Sequence, residues 1–224
     1  MTVVKHNDLN EASYHLRLDV KRLIYSAVAQ LNPQKDMPDK IKIEATDFAE
    51  QWGIDKKKVY EQLKEAKSGL FDSKIKIRNE KSGRDVRWIY ESEYHDGEGY
   101  VTISFSPTVK PYLCNLKSHF TSYQLVELKQ FKSSYTIRLY EAMMQYKKNG
   151  WINRSIDEWR DFFGVEDGKY PAWYELSRRV IKPAIKEINQ KTNYEVTAET
   201  KKRGRRISRL ILYFGESEQP DMFK

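Results

Sequence analysis

The sequence predicts an α+β chain in which one arrangement, a helix-turn-helix followed by strands of a β-hairpin, occurs twice in tandem. Three observations carry this. The run Thr46-Asp47-Phe48-Ala49-Glu50-Gln51-Trp52-Gly53-Ile54-Asp55 has the residue types of two short helices joined by a tight turn. Segments in which apolar and polar residues alternate follow it, as strands with one buried face require. Trp159 with Phe163-Gly164-Val165 then repeats Phe48 with Trp52-Gly53-Ile54 at an offset of 111 residues.

The first copy opens with Leu18, Leu23, Val28 and Leu31 at roughly helical spacing, a stretch that Asn32-Pro33 ends. A strand is expected around Ile41 and Ile43. Thr46 is expected to cap the next short helix by accepting backbone amide bonds, and Gly53 to supply the turn that stops it. Asp55 is expected to cap the following helix, whose Val59, Leu63, Ala66 and Leu70 form an apolar stripe. Ala49 is small where that second helix must cross closely. Strands follow at Ile75 and Ile77, at Val86, Trp88 and Tyr90, and at Val101, Ile103 and Phe105, with turns at Lys81-Ser82-Gly83-Arg84 and Asp96-Gly97-Glu98-Gly99. This order is that of a winged helix.

The second copy has the same order. Arg138-Leu139-Tyr140-Glu141-Ala142 precedes its helix-turn-helix as Arg22-Leu23-Ile24-Tyr25-Ser26-Ala27 precedes the first. Trp173 to Lys191 reads as helical with a kink or split at Pro183, and Tyr194 to Thr200 and Ile207 to Phe214 read as strands around Lys202-Arg203-Gly204-Arg205-Arg206. The expected division is a first domain over residues 1–118, a linker with a short helix over 119–133, and a second domain over 134–224. The tail from Glu216 to Lys224 is short and mixed in charge.

The chain has 224 residues, with hydrophobic types at 39% and 29 aromatics, which fits a folded protein and argues against disorder. The long apolar run of a membrane span and the charged-then-apolar start of a secretory signal are both absent, so a cytoplasmic protein without a membrane partner is expected. The single cysteine, Cys114, allows neither an internal disulfide nor a cysteine metal cage and reads as a small apolar residue. The four histidines, His6, His15, His95 and His119, lack paired metal spacing, and no glycine loop ending in Gly-Lys-Ser or Gly-Lys-Thr occurs. No enzymatic activity, cofactor or metal is expected.

Net charge is +8, which favours a polyanionic partner. The excess is focused: residues 1–117 hold 20 basic and 18 acidic side chains, whereas residues 173–209 alone hold 11 basic and 4 acidic ones. With Leu176, Val180, Ala184 and Ile188 on one face of a helix, Arg178, Arg179, Lys182 and Lys186 fall on the opposite face at 100° per residue. An exposed basic face is often no more than a solvated one. Here it stands beside a basic turn, Lys202, Arg203, Arg205 and Arg206, in which Gly204 permits a tight hairpin. Such a wing can lie along a phosphate backbone or enter a minor groove, or serve as a charged hairpin that protects a sheet edge. In the first copy Lys57, Lys58 and Lys64 are expected on the outer side of the second helix. Glu61 and Glu65 share that side, a mixture suited to phosphate positioning or protein contact.

These residues resemble the iteron-binding plasmid replication initiators, a family of paired winged-helix proteins. The similarity runs from Asn7-Asp8-Leu9-Asn10-Glu11-Ala12 through Lys21-Arg22-Leu23-Ile24, Leu63-Lys64-Glu65-Ala66 and Phe105-Ser106-Pro107. It continues through Ser134-Tyr135, Arg138-Leu139-Tyr140-Glu141, Arg179-Val180-Ile181-Lys182-Pro183-Ala184-Ile185-Lys186-Glu187-Ile188-Asn189 and Lys202-Arg203-Gly204-Arg205. The resemblance implies a protein that binds direct repeats of double-stranded DNA in an origin as a monomer, melts an adjacent AT-rich segment and recruits a host initiator and replicative helicase. It also implies a homodimer that forms through the first domain, exchanges with monomer with help from chaperones, and represses its own gene at an inverted repeat. In the family the second domain does most of the base reading. A winged-helix transcription regulator without origin-melting activity shares every DNA-binding feature, and a tyrosine-dependent nicking initiator is disfavoured by the scattered histidines.

Overall fold

A computed structural model describes residues 1–78 and 83–217. Lys81 and Ser82 of the first expected turn, and the tail beyond Ser217, lie outside the described residues. In chain order the elements are β1 (Thr2–His6), α1 (Asn7–Glu11), α2 (Leu18–Val28), β2 (Ile41–Glu44), α3 (Ala45–Trp52), α4 (Val59–Asp72), β3 (Lys74–Arg78), β4 (Gly83–Arg87), β5 (Ile89–His95) and β6 (Tyr100–Phe105). A short 3-10 turn at Lys110–Tyr112 leads to β7 (Phe120–Gln124), α5 (Leu125–Lys129), α6 (Ser134–Gln145), β8 (Trp151–Ser155) and α7 (Ile156–Phe163). Then come α8 (Trp173–Leu176), a π-helical turn (Ser177–Ile181), α9 (Lys182–Lys191), β9 (Tyr194–Arg203) and β10 (Arg206–Glu216).

The chain divides into two units, one of residues Met1–Ala12 and Leu16–Lys129, the other of Ser13–His15 and Gln130–Lys224. Each has the winged-helix sheet. In the first, β6 lies between β2 and β5, all antiparallel; in the second, β10 lies between β8 and β9, also antiparallel. The repetition extends to the turns, where Gly53 ends α3 at φ 64°, ψ 40° and Gly164 ends α7 at φ 62°, ψ 36°. That left-handed conformation is open to glycine at little cost and explains the repeated Gly. The first unit adds the β3–β4 hairpin and a β1–β7 pair in which Thr2 faces Gln124.

The cores follow the expected stripes. Val59, Leu63, Ala66 and Leu70 are buried under α2 and α3, and Trp52 Nε1 donates to Ser26 Oγ at 2.8 Å. In the second unit Leu176, Val180, Ala184 and Ile188 are buried, and Trp159 Nε1 donates to the Leu210 carbonyl at 3.1 Å. A fully buried indole N–H needs such a partner, because losing its water without replacement costs about 1–3 kcal/mol.

Local expectations needed correction at four points. Thr46 does not cap α3: β2 runs directly into the helix, and the Ala45 amide donates to the Gly99 carbonyl at 2.8 Å instead. Asp55 does not cap α4. Its carboxylate accepts from the Lys57 amide at 2.9 Å and closes a separate turn, so the helix begins only at Val59. The alternation from Val86 to Tyr90 breaks at Trp88, where Ser106 bonds the Arg87 and Trp88 carbonyls. Trp88 and Ile89 are therefore both buried, and Tyr90 turns outward at 52% exposure. Finally, α2 ends at Val28, a turn before Asn32-Pro33.

Candidate nucleic-acid interface

In the second unit the helical region from Trp173 to Lys191 carries the basic face. It is helical throughout but changes its hydrogen bonding midway: the Lys182 amide reaches back to the Ser177 carbonyl, a wide π-type turn. This accommodates Pro183, whose ring would meet the carbonyl four residues earlier in a regular helix and whose nitrogen has no hydrogen to donate. The split expected at Pro183 thus falls one turn before it. Arg178 and Arg179 sit on the π turn and Lys182 and Lys186 on α9, all four exposed.

The wing is the long β9–β10 hairpin, closed where Arg203 faces Arg206 and Gly204 takes φ 61°. Lys202, Arg203, Arg205 and Arg206 are all exposed at its tip. The helix and the wing are fixed to each other by Asn189, whose side-chain amide donates to the Val196 carbonyl at 3.0 Å while its oxygen accepts from the Val196 amide at 2.8 Å. The same two bonds cap part of the outer edge of β9. Between helix and hairpin lies a cleft of about 450 Å³, walled by Tyr174, Ile181 and Ile185 on one side and Ala198, Thr200 and Leu210 on the other, with Arg178 and Lys182 among its lining residues.

The helix-turn-helix in this unit is stabilised at its start by a reciprocal cap. The Ser155 hydroxyl accepts from the Glu158 amide, and the Glu158 carboxylate accepts from the Ser155 amide. Backbone and hydroxyl donation from Ser155 holds the Glu158 carboxyl below the usual carboxylate range. Arg160 on the same helix donates to the Lys169 and Tyr170 carbonyls and so pins the loop that leads into the basic helix.

The first unit has the same architecture with different charge. Its wing turn carries Asp96 and Glu98 after strand β5, which bears Glu91 and Glu93, the last two paired with Lys40 at 2.8 and 4.0 Å. Of the three lysines expected on the second helix, only Lys64 lies within α4. Lys57 and Lys58 precede it because the Asp55 turn delays the helix start. All three are exposed, and the Lys64 ammonium stands 5.8 Å from the Tyr94 ring centre.

The apolar stripe and the basic residues of this helix do not by themselves point to Tyr174. It is 68% exposed at the head of the basic helix, and the Arg178 guanidinium lies 5.5 Å from its ring centre. An aromatic four residues before an arginine, off the apolar stripe, is the pattern that identifies it. Among the described residues no three or more His, Cys, Asp or Glu gather as a metal site, and no helix is long and apolar enough to cross a membrane.

Comparison with known proteins agrees with this architecture. Residues 2–144 match the family described as "Initiator Replication protein, WH1", and residues 155–214 match "Initiator Rep protein, WH2". The chain is 30% identical to the PI protein of Escherichia coli over 95% of its own length and 82% of that protein's. It is 27% identical to a replication initiation protein of Escherichia coli, covering 99% of this chain and 72% of the relative. A crystal structure of Pi initiator protein in complex with iteron DNA superposes with a TM-score of 0.82 at 28% identity, covering 97% of this chain and 98% of that one. Two family models that together span nearly the whole chain, and a relative 30% identical over 82% of its own length, make this protein a member of the Rep3 family of plasmid replication initiators, built from a WH1 and a WH2 domain.

Proposed function

We propose that the chain initiates plasmid replication by binding iterons, directly repeated duplex sites, with the second unit as the principal reader. The observation that carries this is the pairing, in one unit, of an exposed Arg178-Arg179-Lys182-Lys186 helix face with an exposed Lys202-to-Arg206 wing. The first unit's wing carries Asp96 and Glu98 at the equivalent point, where like charge repels phosphate. Binding of iteron DNA by the similar Pi initiator protein supports the reading. Lys57, Lys58 and Lys64 then contribute phosphate contacts that position the protein without reading bases.

Self-association and autorepression belong to the same reading. Strand β5, seven residues long, is an outer strand of its sheet, and its outer edge, paired with no strand among the described residues, is offered to a second copy. The monomer is the origin-active form and the dimer represses, with host initiator, helicase and chaperones as further partners in the cytoplasm, where plasmid DNA resides. The test is footprinting on the DNA that flanks the protein's own gene. Protection repeated at helical-turn spacing is the expected result, and uniform or absent protection sinks the proposal.

A further inference from the structure

We propose that Tyr174 is a specificity-determining residue that reads the C5-methyl group of a thymine next to the guanine read by Arg178. The inference rests on the second unit being the DNA reader and adds which base step it prefers.

Tyr174 stands in the first turn of the basic helix, and the opening residues of a recognition helix are those that reach base edges in a major groove. Its ring is 68% exposed, although burying an aromatic of this size is strongly favourable. Apolar Ile181 and Ile185 continue the same wall of the cleft. An apolar surface that meets a major groove finds its largest apolar partner in the thymine methyl, the groove's other apolar positions being small ring C–H groups among hydrogen-bond donors and acceptors. The Arg178 guanidinium, 5.5 Å from the ring centre, is a separate reader. Its planar fork matches the O6 and N7 acceptors of guanine, and the ring beneath limits its rotamers. Ring and guanidinium lie four residues apart on one helix face, so the bases they meet are neighbours.

The experiment uses the full chain and a duplex carrying one footprinted repeat, with each thymine replaced in turn by deoxyuracil, which lacks only the methyl. Wild type is expected to lose about fourfold in affinity at one thymine, the worth of one buried methyl, and little at the others. Tyr174→Phe keeps the ring and should keep this discrimination. Tyr174→Ala should bind thymine and deoxyuracil duplexes alike while its salt dependence stays that of wild type, a readout that general weakening of the fold would not reproduce. Arg178→Ala should retain the thymine preference and lose the preference for the adjacent guanine. If wild type is indifferent to deoxyuracil at every position, or Tyr174→Ala still discriminates, the assignment is wrong while the reading of the second unit stands. Failure of wild type to prefer the repeat over a scrambled duplex overturns both.

Discussion

Arg138 donates to the phenolic oxygen of Tyr14 at 2.8 Å, a bond between residues 124 apart in sequence. Both belong to the second unit, because Ser13–His15 groups with Gln130–Lys224. The guanidinium is 1% exposed and also bonds the Phe162 carbonyl at 3.0 Å and Glu141 at 3.4 Å. A buried cation needs this many acceptors because its desolvation is costly. Tyr14→Phe should therefore destabilise the protein by about 1.5–3 kcal/mol, the worth of a hydrogen bond to a charged group. Arg138→Ala should cost about 3–5 kcal/mol by removing one partner of a buried ion pair. Urea unfolding of both variants is the check, and equal small losses would mean that the cluster is replaceable.

The two helix-ending glycines give a sharper comparison. Both have φ above 60°, so alanine at either pays the left-handed penalty of about 1–2 kcal/mol. At Gly53 a Cβ would meet only the flexible end of Lys129, at 3.4 Å, whereas at Gly164 it would run into the backbone of Tyr14 and His15. Gly53→Ala should stay within that penalty. Gly164→Ala should lose about 2–5 kcal/mol once overpacking is added, with thermal melting as the measure; equal effects would overturn the account.

Those two positions also mark how far the sequence was legible. The duplicated Trp/Phe-Gly pair identified both turns, because a left-handed helix end demands a particular residue type. It could not reveal that residues 13–15 pack against the second turn, since a contact between Tyr14 and Gly164 leaves no local pattern. Strand β1 leaves no local pattern for the same reason: five residues pairing with Phe120–Gln124 are specified by a distant partner. Thr46 and Asp55 are sound capping residues that lost to a tertiary bond from Ala45 to Gly99 and to a turn at Lys57. The basic helix face was readable because 100° spacing fixes which residues share a side. The same spacing sets Tyr174 beside Arg178, but hydrophobicity alone does not give the 68% exposure of its ring.

Stability should respond to acid through Glu187. Burial pushes its carboxyl up, but Lys191, Thr136 and the Lys132 amide donate to it at 2.6, 2.6 and 2.8 Å and together leave it below the ordinary value. A carboxyl depressed in the folded state adds stability that is complete above its unfolded value of about 4.3 and is lost as pH falls through the folded one. Glu187→Gln should thus be less stable than wild type at neutral pH, and the gap should close below about pH 4. Urea midpoints across pH 3–7 on the roughly unperturbed carboxylate scale test this, and a constant gap would remove Glu187 as the source.

If self-association runs through the outer edge of β5, as proposed, the interface lies in the first unit. Residues 130–224 alone should sediment as a monomer at concentrations where the full chain is dimeric. That fragment lacks Tyr14, so it is to be measured below its own, lowered melting temperature. A fragment that dimerises as well as the whole chain would move the interface to the second unit.

The proposed ranking of the two units in DNA binding rests on the charge difference between their wings. Arg178 projects from the basic helix and Arg206 from the wing, both exposed, while Lys57 precedes α4 with exposed Glu61 close by in sequence. Losing a phosphate contact lowers the salt slope by roughly 0.9 and weakens every sequence alike. Losing an arginine held to a guanine edge instead costs about 1–3 kcal/mol and relaxes preference at one position. Arg178→Ala should follow the second pattern and Arg206→Ala the first. Lys57→Ala should be the mildest, since a neighbouring carboxylate already offsets part of its field. Titrations of the three variants against one repeat and a scrambled duplex at several salt concentrations separate these outcomes. A damaging Lys57→Ala with a silent Arg178→Ala would make the first unit the principal reader.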